Sequence, residues 1–347
     1  MALGVSPMRR RDFITLFEAR LLWFRVKEPV AAEERRCRAG GGMIRDGMVL
    51  PRYAAVNGLA VELAPLSGAA VAVTVAFLYG LPIHAIVAFC VLTLATGLGI
   101  SVGLHRLFSH HSFATFAPIE WALMILGGMA STRGPFHWVA THRVHHRQSD
   151  RNGDPHSPHV GDGRPLRTWR GFWHAYSGWL CSDRYAYQAA AVRDLARRRD
   201  LAWIDRYWLL WLLLGLVLPG LAGLLIGRTA YDALIGFLVA GVFRHFVVLQ
   251  LPLAVNAVCH LWGSRPYDTP DHSRNNFLLG LIALGEGWHN NHHAFPSSAR
   301  HGFYWWQPDL TWGVIRLMER AGLAWRVKRP HPLAYAHSDG RALRSTG

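Results

Sequence analysis

Three histidine clusters carry the chemistry: His105-Arg-Leu-Phe-Ser-His110, His142-Arg-Val-His145-His146 and His289-Asn-Asn-His292-His293. Neutral imidazole is a borderline ligand that suits Fe, Zn, Cu and Ni. Eight of them exceed what one four- to six-coordinate ion takes while keeping a position open, so two ions is the natural count. Spacing i, i+3, i+4 puts the imidazoles of each HxxHH on one helical face, within about 100° of arc, where they can converge on a shared centre. His105 and His110 would diverge by about 140° on a regular helix, so the first cluster needs a bent or ending helix. Asp154 and Glu286 could accept the distal imidazole N–H and set the ligand tautomer, or serve as a helix cap or a solvated acid. His156, in Asp154-Pro155-His156, and His260 lie near the clusters. His111 and His137 stay open between site and structure, whereas His84, His159, His174, His272, His301, His331 and His337 read as ordinary loop or interface residues.

The elements that must position these clusters are apolar. A hydrocarbon core about 30 Å thick needs roughly 20 apolar residues of helix. Residues 65–81 and 83–104 form one pair of such stretches around Pro82, and residues 208–226 and 231–258 form another around a short turn. The expected fold class is therefore all-α and integral to the membrane, with four transmembrane helices in two hairpins. The segments are a basic arm (1–57), a first hairpin (58–104), a polar stretch with the first two histidine boxes (105–207), a second hairpin (208–258) and a tail with the third box (259–347). In the polar stretch, residues 121–129 form a semi-apolar patch expected in the interface.

Short outer turns put the N-terminus, the middle stretch and the tail on one side. Nearly all the arginines fall there, with Arg228 in an outer turn, so these segments are expected in the cytosol. All three boxes then share one membrane face. Separate surface or capping histidines, the usual reading of a lone one, fit that convergence poorly. Arg244 and His245 interrupt the fourth span, where an ionisable residue faces the bundle interior as a functional or a structural partner.

Composition agrees. Of 347 residues 51% are hydrophobic and 17% charged, and the formal charge is +15. Such a balance could suit nucleic acid, anionic lipid or an anionic substrate, and the apolar spans favour lipid over nucleic acid. Lys27 and Lys328 are the only lysines, which with abundant Arg, Ala and Gly suggests a GC-rich bacterial genome and a plasma membrane location. Cys37, Cys90, Cys181 and Cys259 form no CxxC pair and read as packing residues. The arginine-rich N-terminus has no cleavable signal core. Met43 or Met48 would serve equally well as the first residue, so residues 1–42 read as a membrane-surface arm or a mis-called start.

In order and spacing, HxxxxH, HxxHH and HxxHH, the last two separated by a membrane hairpin, resemble the membrane fatty-acid desaturases. The Asp154-Pro155-His156 context and Gly285-Glu286-Gly287-Trp288-His289 look like the acyl-CoA delta-9, stearoyl-CoA type, branch. The resemblance covers roughly residues 58–330. It implies a four-helix stem with a cytosolic helical cap. It also implies two irons bound by His105, His110, His142, His145, His146, His260, His289, His292 and His293, with Asn256 contributing through a water. His260 enters as the end of Asn256-Ala-Val-Cys-His260. The branch commonly carries Thr-Trp before that Asn and Ser after it, whereas this chain has Pro252-Leu253 and Ala257, near the expected acyl channel. No His-Pro-Gly-Gly haem motif is present, so a separate ferredoxin or cytochrome b5-type donor, with its reductase, is implied.

The implied reaction is O2-dependent introduction of a cis double bond into a saturated acyl chain, with an acyl-CoA as the expected substrate. No catalytic residue is expected beyond the metal ligands. Trp138 and Trp288, each ahead of a box, are candidates for the tunnel wall, and Arg143 and Arg147 for head-group contacts. Two other readings use the same histidines. A diiron hydroxylase of alkanes, sterols or carotenoids would differ in where the radical is intercepted. A metal transporter would want ligands along a path through the membrane.

Overall fold

In a computed structural model, residues 51–130, 133–181 and 188–330 are described. The basic arm up to residue 50, Cys37, His331 and His337 lie outside them. The chain is mostly helical. Helix α1 (Pro51–Tyr79) and α2 (Ile83–Ser109) meet at a turn in which Gly80 takes φ 92°. Then follow α3 (Ala117–Gly128), α4 (Pro135–Gln148), α5 (Thr168–Tyr176) and α6 (Arg199–Arg206). Helix α7 (Trp208–Gly227) turns at Arg228 into α8 (Ala230–Leu261). The tail adds α9 (Phe277–Ile282), α10 (His289–Ala294) and α11 (Leu310–Arg320). Two antiparallel strand pairs close loops: β1 (Ala114–Thr115) with β4 (Ala324–Trp325), and β2 (Val160–Gly161) with β3 (Arg164–Pro165).

Three of these helices, α2, α7 and α8, are long and apolar enough to cross a membrane, and the apolar part of α1, Leu63–Tyr79, is shorter. The protein is thus a membrane protein in which α2 and α8 both bring their C-terminal ends to the histidines. The two outer turns are tied together, because Tyr231 Oη donates to the Gly80 carbonyl at 2.5 Å. Glycine sets the approach of neighbouring helices where side chains cannot drive association in lipid. A Cβ at Gly241 of α8 would lie 2.3 Å from the Leu216 carbonyl of α7. One at Gly99 would lie 2.4 Å from the Gly127 nitrogen of α3. The semi-apolar patch of the middle stretch is α3, laid directly on α2.

Arg244 explains the charge in the fourth span. It is fully buried and donates to the carbonyls of Ala240 (3.2 Å), Met129 (3.2 Å) and Gly215 (2.9 Å) and to the Thr96 hydroxyl (3.4 Å). One guanidinium thereby ties α2, α7, α8 and the end of α3. In hydrocarbon a carbonyl has no water to turn to, so the clamp is structural. Arg244→Leu strands those carbonyls. It should lower stability by about 3 kcal/mol, read as an earlier midpoint of unfolding in detergent; an unchanged midpoint refutes the clamp.

Candidate metal centre

The first box is solved by a change of helix type. From Gly99 to Ser109, α2 winds as a π-helix, and the His110 N–H donates to the His105 carbonyl at 3.2 Å. An i→i+5 bond stacks residues five apart, so the two imidazoles that would diverge on an α-helix lie with centroids 4.9 Å apart. This is the bent segment that the spacing demanded, and π-turns are typical of functional sites.

All nine histidines named from the sequence come together, in two neighbouring groups. His105, His110, His142, His146 and His292 form one, and His145, His260, His289 and His293 the other, each with its ring nitrogens within 4.8 Å of one another. The shared centre expected for each HxxHH is corrected by this arrangement. On an α-helix i+4 lies about 40° to one side of i and i+3 about 60° to the other. So α4 gives His142 and His146 to the first group and His145 to the second, while α10 gives His289 and His293 to the second and His292 to the first. The exchange locks the groups side by side.

The histidines present bare nitrogens to each other. Nε2 atoms lie 3.1 Å apart for His105 and His292, 2.8 Å for His110 and His142, 2.9 Å for His146 and His292, and 3.1 Å for His289 against both His260 and His293. Carboxylates determine which nitrogen is bare. Asp154 accepts from His145 Nδ1 (3.0 Å), Asp150 from His260 Nδ1 (2.8 Å), Asp271 from His293 Nδ1 (2.6 Å) and Glu286 from His105 Nδ1 (2.5 Å). With these rings neutral, three of the four Nε2 atoms of the second group carry lone pairs, leaving His289 to supply at most one proton among them. His145 Nε2 is buried without a partner. Crowded, buried, unprotonated nitrogens need a cation, and imidazole donors oriented by carboxylates fit iron. The expected outer partners Asp154 and Glu286 stand where that role requires.

Electrostatics agree except at His260, whose pKa is raised because Asp150 outweighs its burial. Burial, reinforced by the neighbouring imidazoles, holds His142, His146, His289 and His292 far below the ordinary imidazole range, and burial brings His293 to about 4 despite Asp271. Burial alone would raise the acids, but the contact with His145 takes Asp154 to about 2, and His105 and Arg106 hold Glu286 low.

Sequence reasoning missed several supporting residues. Asp150 and Asp271 gave no signal beyond being acidic. Arg106, fully buried, chelates Asp309 (2.9 and 3.1 Å) and reaches Glu286 (3.2 Å), steadying the carboxylate on His105. His301, read as an ordinary loop residue, is 1% exposed, lies 3.5 Å from Glu286 and packs on His292 with centroids 4.4 Å apart. His156 does the same on the other side, stacking on His145 at 4.4 Å beside Asp154. Each histidine that crosses between groups is thus backed by another.

The remaining candidates separate. Trp138 stacks on His142 (5.2 Å) and lines a cavity with His105, His142, His289, Asn256 and Glu286. Trp288 is buried below α9, its indole donating to the Pro308 carbonyl (2.8 Å) with its ring against Gly280. Arg143 is a brace, bidentate to Asp194 (2.7 and 2.9 Å) and bonded to the Phe108 and Ala191 carbonyls. Arg147 is exposed and reaches Gln188 (3.3 Å). His111, at φ 49°, meets Arg143 at the surface, and His137 lines a second cavity.

The sequence profile of the fatty acid desaturase family matches residues 48–329. The chain belongs to that family. It is 41% identical over 236 residues to a hex-5-enoyl-[acyl-carrier protein] acetylenase of Moorena producens, covering 67% of this chain and 73% of that protein. It is 39% identical to an sn-1 stearoyl-lipid 9-desaturase of Anabaena variabilis (67% and 79% covered) and 36% identical to an icosanoyl-CoA 5-desaturase of Limnanthes douglasii (70% and 65%). Several 9-desaturases among the relatives support the delta-9 branch.

As a desaturase, the chain should respond at its histidines and at their acids. His145→Ala should lower bound iron and abolish turnover while the protein stays in the membrane; full iron with full activity refutes the assignment. Asp150→Asn should weaken iron binding roughly 10- to 100-fold, measured by chelator competition, and unchanged affinity would count against the orienting role. In the metal-free protein His293 folds with its pKa lowered from 6.5 to about 4. A depressed histidine contributes stability above its unfolded pKa and loses it as pH falls. The denaturation midpoint should therefore drop between pH 6.5 and 4, and a flat profile there contradicts the burial.

Proposed function

We propose that this desaturase introduces a cis double bond, at the delta-9 position, into a saturated fatty-acyl chain during unsaturated fatty acid biosynthesis. One observation carries the reading: an apolar cavity runs directly past both histidine groups. His105 and His142 of the first group and His289 of the second line it, opposite Ile100, Val248, Leu251, Pro252 and Val255. A second cavity, reaching Arg133, His137 and Thr141, shares Ile100, Trp138, His142, Pro252 and Asn256 with it. A long apolar chain threaded through both would present one pair of its carbons to the histidines.

An unactivated methylene has no useful acidity, so no side-chain base can take its hydrogen. The nine histidines, with Asn256 beside them, would hold the iron, which with O2 would supply the oxidising power that the chemistry needs. The balance is R–CH2–CH2–R′ + O2 + 2 e⁻ + 2 H⁺ → R–CH=CH–R′ + 2 H2O. Two electrons come from the substrate. The other two come from an external donor, a ferredoxin or cytochrome b5-type protein fed by its reductase. The residues of the chain position and exclude. Trp138 and the α8 side chains hold the acyl chain against the histidines and keep bulk water away, and Glu286, Asp150, Asp154 and Asp271 hold the imidazoles in their ligating tautomer.

On this reading α1, α2, α7 and α8 all span the bilayer beneath a helical cap. The arginine distribution supports a bacterial plasma membrane with both termini and the site cytosolic. Relatives named as 9-desaturases support the delta-9 position, and those named for carbon 5 or an acetylenic product mark it as the property to measure.

Expression in cells lacking their own desaturase should yield a new monoene among the fatty-acid methyl esters, with the double bond at carbon 9 by mass spectrometry of its adducts. A hydroxylated product would favour the hydroxylase reading, and an unchanged profile despite bound iron and a competent donor would refute desaturation.

A further inference from the structure

Of the four carboxylates that orient the histidines, Asp154, Asp271 and Glu286 take their other hydrogen bonds from buried residues. Asp154 accepts from the Asp150 and His156 N–H groups, Asp271 from Thr269 and Ser273, and Glu286 from Arg106. Asp150 is different. Its Oδ2 accepts from His260 Nδ1 (2.8 Å) and, on the same atom, from the backbone N–H of His272 (2.8 Å), an exposed residue. The His272 ring lies on that of half-buried His159 with centroids 4.2 Å apart, and His159 Nε2 donates to the His260 carbonyl (2.9 Å). Two short routes therefore lead from one histidine pair at the surface to one ligand of the second group.

The surface around this pair is cationic. His159 leads into the β2–β3 hairpin, and the Leu166 N–H returns to the His159 carbonyl (2.8 Å), leaving Arg164 and Arg167 exposed on either side of Leu166. Arg151, next to Asp150, and Arg170 of α5 are exposed as well. The hairpin tip meets the loop that carries Arg151, since a Cβ at Gly163 would lie 3.6 Å from Asn152 Oδ1. Arg265 is within electrostatic reach of His272. Against these arginines the exposed acids of the same loops are Asp162 and Asp268, and Asp268 lies 3.7 Å from Arg265. Such a surface attracts an acidic partner.

We propose that this face docks an acidic one-electron carrier protein, and that the His159–His272 pair is where its electron enters on the way to the metal held at His260. The proposal rests on the desaturase reading, which needs two electrons from outside the chain, and it names where their donor lands. Each encounter oxidises the donor by one electron and reduces one ion by one. No bond forms or breaks in that step, and two encounters supply the pair of electrons that one desaturation consumes. Electron-carrier encounters are small and short-lived, so a few arginines around the entry point suffice to steer the donor there and let it leave.

The test uses the iron-loaded full chain in phosphatidylcholine nanodiscs with two probes, an acidic plant-type ferredoxin and an acidic cytochrome b5, each followed if it drives turnover when reduced. Arg164→Glu with Arg167→Glu should weaken binding of the oxidised donor roughly ten-fold or more at low salt, while iron content and dithionite-driven turnover stay as in the parent. Arg193→Glu with Arg199→Glu, on another exposed basic stretch, should leave donor affinity within about two-fold. Unchanged affinity in the first pair, or an equal loss in the second, overturns the docking face. A benzophenone amino acid at Asn152 should cross-link to the donor and one at Arg199 should not; no cross-link at Asn152, or an equal one at Arg199, overturns it too. Turnover with dithionite but with neither protein overturns the choice of partner, whereas no turnover with any reductant overturns desaturation itself.

Discussion

Nine imidazoles turned toward one another in a buried space, most of them held in the neutral form by burial, are the constraint on which the rest of this structure depends. Lone pairs at about 3 Å repel unless a cation lies between them, and burial removes the water that would otherwise separate them. The protein accepts that arrangement only by over-determining each ring. Carboxylates hold His105, His145, His260 and His293 through Nδ1, and His156 and His301 back the two histidines that cross between the groups. Arg106, itself buried, holds the acid behind His105 and so ties the first box to the third.

The helices bend to this requirement. Helix α2 leaves α-geometry for its last eleven residues so that His105 and His110 face the same way, and α3 can lie against that distorted stretch because Gly99, Gly103 and Gly127 leave room for backbone contact. Helix α8 has its own π-segment, Gly236–Phe243, immediately before Arg244, and Pro252 further along. Pro252 lines both cavities, so the position where the chain departs from the delta-9 pattern borders each of them.

Polar and apolar demands meet at one place. Buried acids orient the histidine groups, and an apolar cavity reaches them from the other side. The turn after α9 satisfies both within four residues, since Ala283 and Leu284 line the cavity while Glu286 reaches His105.

From the sequence alone came the histidine clusters, the apolar stretches and the need for an irregular first box, because residue type and periodicity are local properties. Asp154 and Glu286 were legible for the same reason, lying within a few residues of a box. The sequence could not say that each HxxHH divides between the two groups, since that depends on two helices facing each other from either side. Nor could it single out Asp150, Asp271, Arg106 or His301, whose roles arise from contacts as distant as Asp150 with His260 and Arg106 with Asp309. Arg143 made the opposite case: as a basic residue beside a box it suggested a substrate contact, and only the fold revealed Asp194 already occupying it. Residue chemistry and spacing are written along the chain, whereas the partner of a buried charge is decided by whatever the folded chain brings to it.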